Sequence, residues 1–150
     1  MLIMGFIGIG TAVATVQVVN QGSYNSDYNT ASRHTLNAIH WISWDAQMAQ
    51  TVVRNGSTGF PLNLSWVEWD NSTHQVTYTE AGDTLRRSYS IDGGVPSETE
   101  IAQHINWVSE NTTCGFNGGV LTLKVTATVG TGLNAVSVTK VREVTPRPGL

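Results

Sequence analysis

Cysteine is nearly absent from this chain: Cys114 stands alone. An internal disulfide is therefore excluded, and one thiol cannot build a structural zinc site. The compartment stays open, because many exported proteins lack disulfides. Charge is scarce as well. Asp, Glu, Lys and Arg make up 13% of the 150 residues, and the net charge is −3. No basic block occurs, so a nucleic-acid partner is not expected. Residues 1–26 carry none of these four residue types, and the first charge is Asp27.

What fills that uncharged start is apolar. Met1 to Val19 (MLIMGFIGIGTAVATVQVV) is nearly all apolar, Gly or Thr. A bilayer core is about 30 Å thick, and about 20 such residues span it as a helix. A cleaved secretory signal needs a basic start, which is missing here, although Ala12-Val13-Ala14 has the look of a cleavage site. A retained anchor is the better reading. Leu2, Ile3, Phe6, Ile7, Ile9, Val13 and Val16 are its candidate packing residues, in lipid or in a fibre core. Gly5, Gly8 and Gly10 do not match the spacing of a dinucleotide fingerprint, and no βαβ unit follows. Small residues there fit close helix packing.

A polar stretch, Asn20 to Asn29, comes next, with Gly22 as a weak point. Helical periodicity is then clear from Thr30 to Arg54. Leu36, Ile39, Ile42, Ala46, Ala49 and Val53 recur every three or four residues and are the expected core face. Trp41, Trp44, Met48 and Val52 widen it. Asn55-Gly56 supplies a helix stop. A helix over residues 3–54 is roughly 75 Å long, more than a globular domain can use. The expected division is an apolar membrane or fibre-core segment, 1–29, and a globular domain, 30–150.

After Phe60-Pro61 the period changes to two. Leu62, Leu64 and Trp66 alternate with polar neighbours, and Val76, Tyr78, Leu85, Tyr89 and Ile91 continue the pattern. Val120 to Val129 and Ala135 to Val144 are rich in Val and Thr, as strands prefer. Turn chemistry separates these runs at Asp70-Asn71, Gly82-Asp83, Asp92-Gly93-Gly94, Gly118-Gly119 and Gly130-Thr131-Gly132. Short connections favour antiparallel pairing. Ser97 to Cys114 fits a short strand or a helical turn. The expected fold class is α+β: one long N-terminal helix, its first half apolar and protruding, packed on antiparallel strands between residues 60 and 145.

Candidate chemistry is thin. His34, His40, His74 and His104 are scattered, with no i, i+4 pair for a metal. The acidic turns lack the calcium-loop spacing. Ser43, Ser65 and Ser88 lack a nucleophile context, and Glu68 and Asp70 have no apolar pocket to raise a pKa. No enzyme, no cofactor and no metal are expected. Trp66 and Trp69 have opposite strand parity, so one is expected inside and the other near solvent. Arg86 and Arg87 point to opposite faces, and one is expected to reach Asp45 on the helix. Asn55, Asn63, Asn71 and Asn111 each open an N-x-Ser/Thr sequon.

This layout resembles the type IV pilin-like proteins, and most of all the J-type minor pseudopilins of type II secretion and related minor pilins. The resemblance rests on Trp41 to Val52 (WISWDAQMAQTV) and His74 to Tyr89 (HQVTYTEAGDTLRRSY). It extends to Ile101–Val108 with Leu121–Val125, and to the terminal Val141-Arg142-Glu143-Val144. Together these span about residues 30–145. Family members begin with a leader ending in Gly, then an aromatic residue and an apolar run with Glu at its fifth position. Here Gly5-Phe6 is the nearest match, and the fifth residue from Phe6 is Gly10. No residue here inherits the processing role; aligning the helix to the family places about ten residues before Met1, and the alternative is a member that has lost the marker. The resemblance implies a structural subunit of a type IV pilus or a type II secretion pseudopilus that helps initiate or cap fibre assembly. Its implied partners are other pilin-like subunits and, through the helix, the membrane. Its implied place is single-pass in the membrane with the domain outside the cytoplasm, then a cell-surface or periplasmic fibre. The alternative is a membrane-anchored extracytoplasmic module that binds a glycan or protein ligand.

Overall fold

The computed structural model describes the backbone of residues 3–148 and the side chains of residues 21–148. Leu2 lies outside the described residues. The side chains of Ile3, Phe6, Ile7, Ile9, Val13 and Val16 lie outside them too, so their packing role is not described. The fold is α+β, with a single helix packed on antiparallel sheets.

Helix α1 runs from Ile3 to Met48, 46 residues or roughly 69 Å. It continues through Gly22 and across the boundary expected at 29–30 without a break. Residues 21–26 are all exposed, and among the described side chains Ala31 is the first buried one on the helix. The domain therefore grips the helix from Ala31 onward and leaves residues 21–26 uncovered.

The helix stops six residues earlier than its periodicity suggests. Thr51-Val52-Val53-Arg54 is not helical but strand β1. The β-branched run Thr51-Val52-Val53 loses side-chain freedom in a helix and gains partners in a sheet. The Gln50 N–H donates to the Ser65 carbonyl, and β1 pairs with β2, Leu62–Val67. Val53 is therefore an exposed strand residue and not part of the helix core. Leu36 is a second correction: it is half exposed. Leu36 precedes Ile42 by six residues, which rotates it about 120° from the buried direction. Ile39, Ile42, Ala46 and Ala49 are buried as expected, joined by Ala31, Thr35 and Ala38. Small residues on this face let both sheets approach the helix axis. The Thr35 hydroxyl donates to the Ala31 carbonyl at 2.8 Å and also reaches the Val138 carbonyl at 3.2 Å, so its polar group is satisfied inside.

Five strands form a meander in the order β1-β2-β3-β4-β5, with β3 at Thr73–Ala81, β4 at Thr84–Ile91 and β5 at Ser97–Ala102. The remaining three form a separate sheet, β6-β7-β8, at Thr113–Asn117, Val120–Val129 and Val136–Val144. All pairings are antiparallel. An isolated bridge between Ile105 and Ala127 joins the two sheets. Helix α1 lies against β7 and β8 of the small sheet and against β5 and β2 of the large one. The shared core is aliphatic, with Leu62, Leu64, Val76 and Leu85 from one sheet and Leu121, Leu123, Val125 and Val138 from the other.

Gly59 ties the β1–β2 loop to β6. Its φ is +85°, and a Cβ there would sit 2.0 Å from the Cys114 carbonyl oxygen. The Cys114 N–H donates to Thr58 O at 2.7 Å, so the two segments cannot simply part. Gly59→Ala is expected to cost more than about 1 kcal/mol. Urea unfolding checks this, and an unchanged midpoint would contradict it.

Candidate functional site

Two features stand out once the fold is built. One is the joint that holds the helix to the large sheet. The other is an aromatic run beside that joint.

The joint is a buried polar cluster. Asp45 is inside the protein, on the helix flank that faces β3 and β4. Arg87 Nε donates to Asp45 Oδ2 at 2.7 Å, and Arg87 Nη2 donates to Oδ1 at 3.0 Å. The Tyr78 hydroxyl donates to the same carboxylate. Tyr78 and Arg87 face each other across the β3–β4 ladder, so one register delivers both donors. Alternation then sends Arg86 outward, where it is exposed. Of the two arginines, which parity sends to opposite faces, Arg87 is the one that reaches Asp45. Burial pushes the Tyr78 pKa up, and the charge of Asp45 pushes it further, so the phenol stays protonated and keeps donating. Burial alone would lower the Arg87 pKa, but its bonds to Asp45 outweigh that, and the net shift is upward. The fork-to-fork geometry fixes the helix rotation as well as its position.

The aromatic run starts at this arginine. The guanidinium lies 5.2 Å from the Trp41 ring and 4.9 Å from the Tyr89 ring. Tyr89 is followed by His74 at 5.8 Å, and His74 stacks on Trp66 at 5.3 Å. Trp66 is buried and Trp69 is 93% exposed, one inside and one outside as expected, with Trp69 in the turn after β2 rather than on the strand. Trp44, one helical turn from Trp41, is 62% exposed. A hydrogen-bonded chain crosses the same strands. It joins Tyr89 to His74 Nδ1 (2.6 Å), His74 Nε2 to Ser72 (3.0 Å), and Ser72 to Asp70 (2.6 Å). The consistent direction has Tyr89 donating to His74, His74 to Ser72, and Ser72 to Asp70. Ser72 therefore gives its proton to a carboxylate and not to the imidazole, which is the wrong arrangement for a serine nucleophile. The bond from Ser72 holds the Asp70 carboxyl below its usual range.

The remaining sequence candidates are dispersed. Ser43 is buried, and its hydroxyl has no partner. Glu68 accepts from Trp66 Nε1 at 3.1 Å, which makes it a structural partner of the tryptophan. Asn71 sits in a turn at φ +66°, and Asn63 accepts from the Thr77 hydroxyl. Cys114 is buried, which pushes its thiol pKa up to about 12. A protonated thiol of this kind is a poor nucleophile.

Spacing in the sequence does not reveal the pairing of His34 with His104, whose rings meet edge to face at 5.4 Å. His34 Nδ1 accepts from the Gln103 N–H at 3.1 Å. Among the described residues no group of three or more His, Cys, Asp or Glu is arranged to hold a metal ion. Burial lowers the His34 pKa below 6.5, and His104 and Arg33 add to that, against Glu100. The folded chain thus binds this proton less readily than the unfolded chain. Its contribution to stability is full above about pH 6.5 and falls as pH drops through the folded value. His34→Gln is expected to flatten the loss of stability between about pH 7 and about pH 5.5. Parallel urea titrations check it, and identical slopes in both proteins would contradict it.

Among the described residues no helix is long and apolar enough to cross a membrane, and the apolar run Met1–Val19 has side chains outside that set. Comparison with known proteins found no matching family model, no matching characterised protein and no matching solved structure.

Proposed function

We propose that this chain is a structural subunit of a pilin-like fibre. Its N-terminal helix is held in a membrane before assembly and in the fibre core afterwards. The observation that carries the reading is one uninterrupted helix, Ile3–Met48, whose C-terminal half is clamped to the domain while residues 21–26 are uncovered. The uncharged sequence of residues 1–26 supports it from the other end. A helix that leaves its own domain carrying an uncharged, mainly apolar run needs lipid or other helices around it. The Asp45–Arg87–Tyr78 joint gives that arrangement a mechanical sense, because it resists rotation and pull between anchor and domain. By resemblance, the subunit is a minor pilin or J-type minor pseudopilin that joins other pilin-like subunits to initiate or cap a fibre, with its domain outside the cytoplasm.

Fractionation of native membranes and sheared surface fibres tests this. Recovery with other pilin-like subunits is the expected result. Recovery only as a lone membrane protein would favour the second reading, an anchored binding module. The exposed Trp44, one helical turn from the Trp41 ring that packs on Arg87, is the specific observation behind that reading, since aromatic faces with a cation suit sugars and peptides. A thermal shift of the full chain with glycan pools tests it separately.

A further inference from the structure

The β7–β8 connection ends in an exposed apolar tip. Gly132–Asn134 forms a single 3-10 turn, and Leu133 at its crest is 106% exposed. The tip is not at a random place. Ser23, Tyr24, Asp27, Leu133, Asn134 and Ala135 line one pocket of about 310 Å³, so the turn sits against α1 where the helix emerges from the domain. Gly130 at the base of the turn, at φ +89°, also lies next to the Asp27 carboxylate. Tyr24 and Tyr28 are 58% and 45% exposed on the same stretch of helix.

Distances along the helix give this collar a meaning. Tyr24 follows Val19, the end of the apolar run, by five residues, or about 7.5 Å. The polar layer on each side of a bilayer core is roughly 5–8 Å thick. A tyrosine at that depth lies within the headgroup layer, with its side chain tilted back toward the acyl boundary, and Tyr is enriched at this interface. Leu133 is carried to the same level by the turn. The residues lining the collar include no Lys or Arg, and Asp27 is the one charge. Attraction to anionic lipid therefore plays no part, and a zwitterionic surface suffices.

We infer that Tyr24 and Leu133 form a collar that seats the domain on the outer surface of the membrane before fibre assembly, with Leu133 dipping into the headgroup layer. This rests on the membrane-anchor reading above, and the test separates the two. The full chain is reconstituted into phosphatidylcholine vesicles with an environment-sensitive fluorophore on one introduced cysteine. Leu133→Cys reports the collar and Ile9→Cys the anchor. Val95→Cys reports the opposite end of the domain, since Val95 is 96% exposed in the β4–β5 turn. Native Cys114 is buried and stays silent to labelling. All three positions leave the described core untouched. The expected result is blue-shifted emission at 133 and several-fold weaker quenching by aqueous iodide than at 95. Equal quenching at 133 and 95 with a protected probe at 9 would overturn the collar and leave the anchor standing. Free quenching at 9 as well would overturn both.

Discussion

Asp45→Ala is expected to lower the unfolding free energy of the domain by about 3 kcal/mol. The substitution removes one carboxylate that satisfies three donors, Arg87 Nε, Arg87 Nη2 and the Tyr78 hydroxyl. Arg87 is left as a largely buried, unpaired cation, with only 14% of its side chain exposed. Small domains hold about 5–15 kcal/mol in total, so a loss of this size lowers the thermal midpoint by on the order of 10 °C. The cost comes mainly from stranding the partners, and not from the worth of the pair itself. Replacing all three groups by Asp45→Leu, Tyr78→Phe and Arg87→Met is therefore expected to recover most of the loss. Urea unfolding of the single and triple variants separates the cases. A single variant within about 0.5 kcal/mol of the parent would show that the joint does not hold the helix.

The second large effect concerns the other end of the helix. Ile9→Lys puts a charge near the middle of Met1–Val19. A lysine at the centre of a spanning helix costs about 3 kcal/mol, which is roughly a hundredfold in the insertion equilibrium. Within a packed fibre core the same lysine also lacks a partner. Ile9→Lys and Val13→Asp are therefore expected to block membrane retention and fibre incorporation while leaving the domain folded. Val95→Lys, at an exposed turn, is the matched control. Normal incorporation of Ile9→Lys would count against any reading that buries this segment.

Much of the domain is legible in the sequence because alternation is a strong signal. The period-two runs at 62–67, 76–78, 85–91, 120–129 and 135–144 fall in β2, β3, β4, β7 and β8, the last strand starting one residue later than its run. Parity puts Arg86 and Arg87 on opposite faces without saying which one turns inward; the structure makes Arg87 the partner of Asp45, and Trp66 rather than Trp69 the inner tryptophan. The helix boundary is not legible in the same way. Val52 and Val53 extend a helical stripe on paper, yet pairing with Leu64 and Asn63 wins, because a β-branched residue gains more in a ladder than in a last turn. The buried helix face is also blurred in the sequence. Ala31, Thr35 and Ala38 carry little hydropathy, so Leu36, about 120° from the buried direction, is read into the stripe in their place. How the two sheets meet around one helix depends on contacts far apart in the chain, among them the Ile105–Ala127 bridge, which no local pattern encodes. The His34–His104 contact is hidden for the same reason: 70 residues separate two groups that the helix and the strand ends bring together.

Site-directed cross-linking in native cells tests the central claim most directly. Cysteines at Ile9 and Val13 probe the helix, and one at Val95 probes the far turn, with buried Cys114 left in place. The account predicts adducts to other pilin-like subunits from positions 9 and 13 in sheared fibres, and none from position 95. A chain that gives no adducts at 9 and 13, and that leaves the membrane as a lone protein, would contradict it.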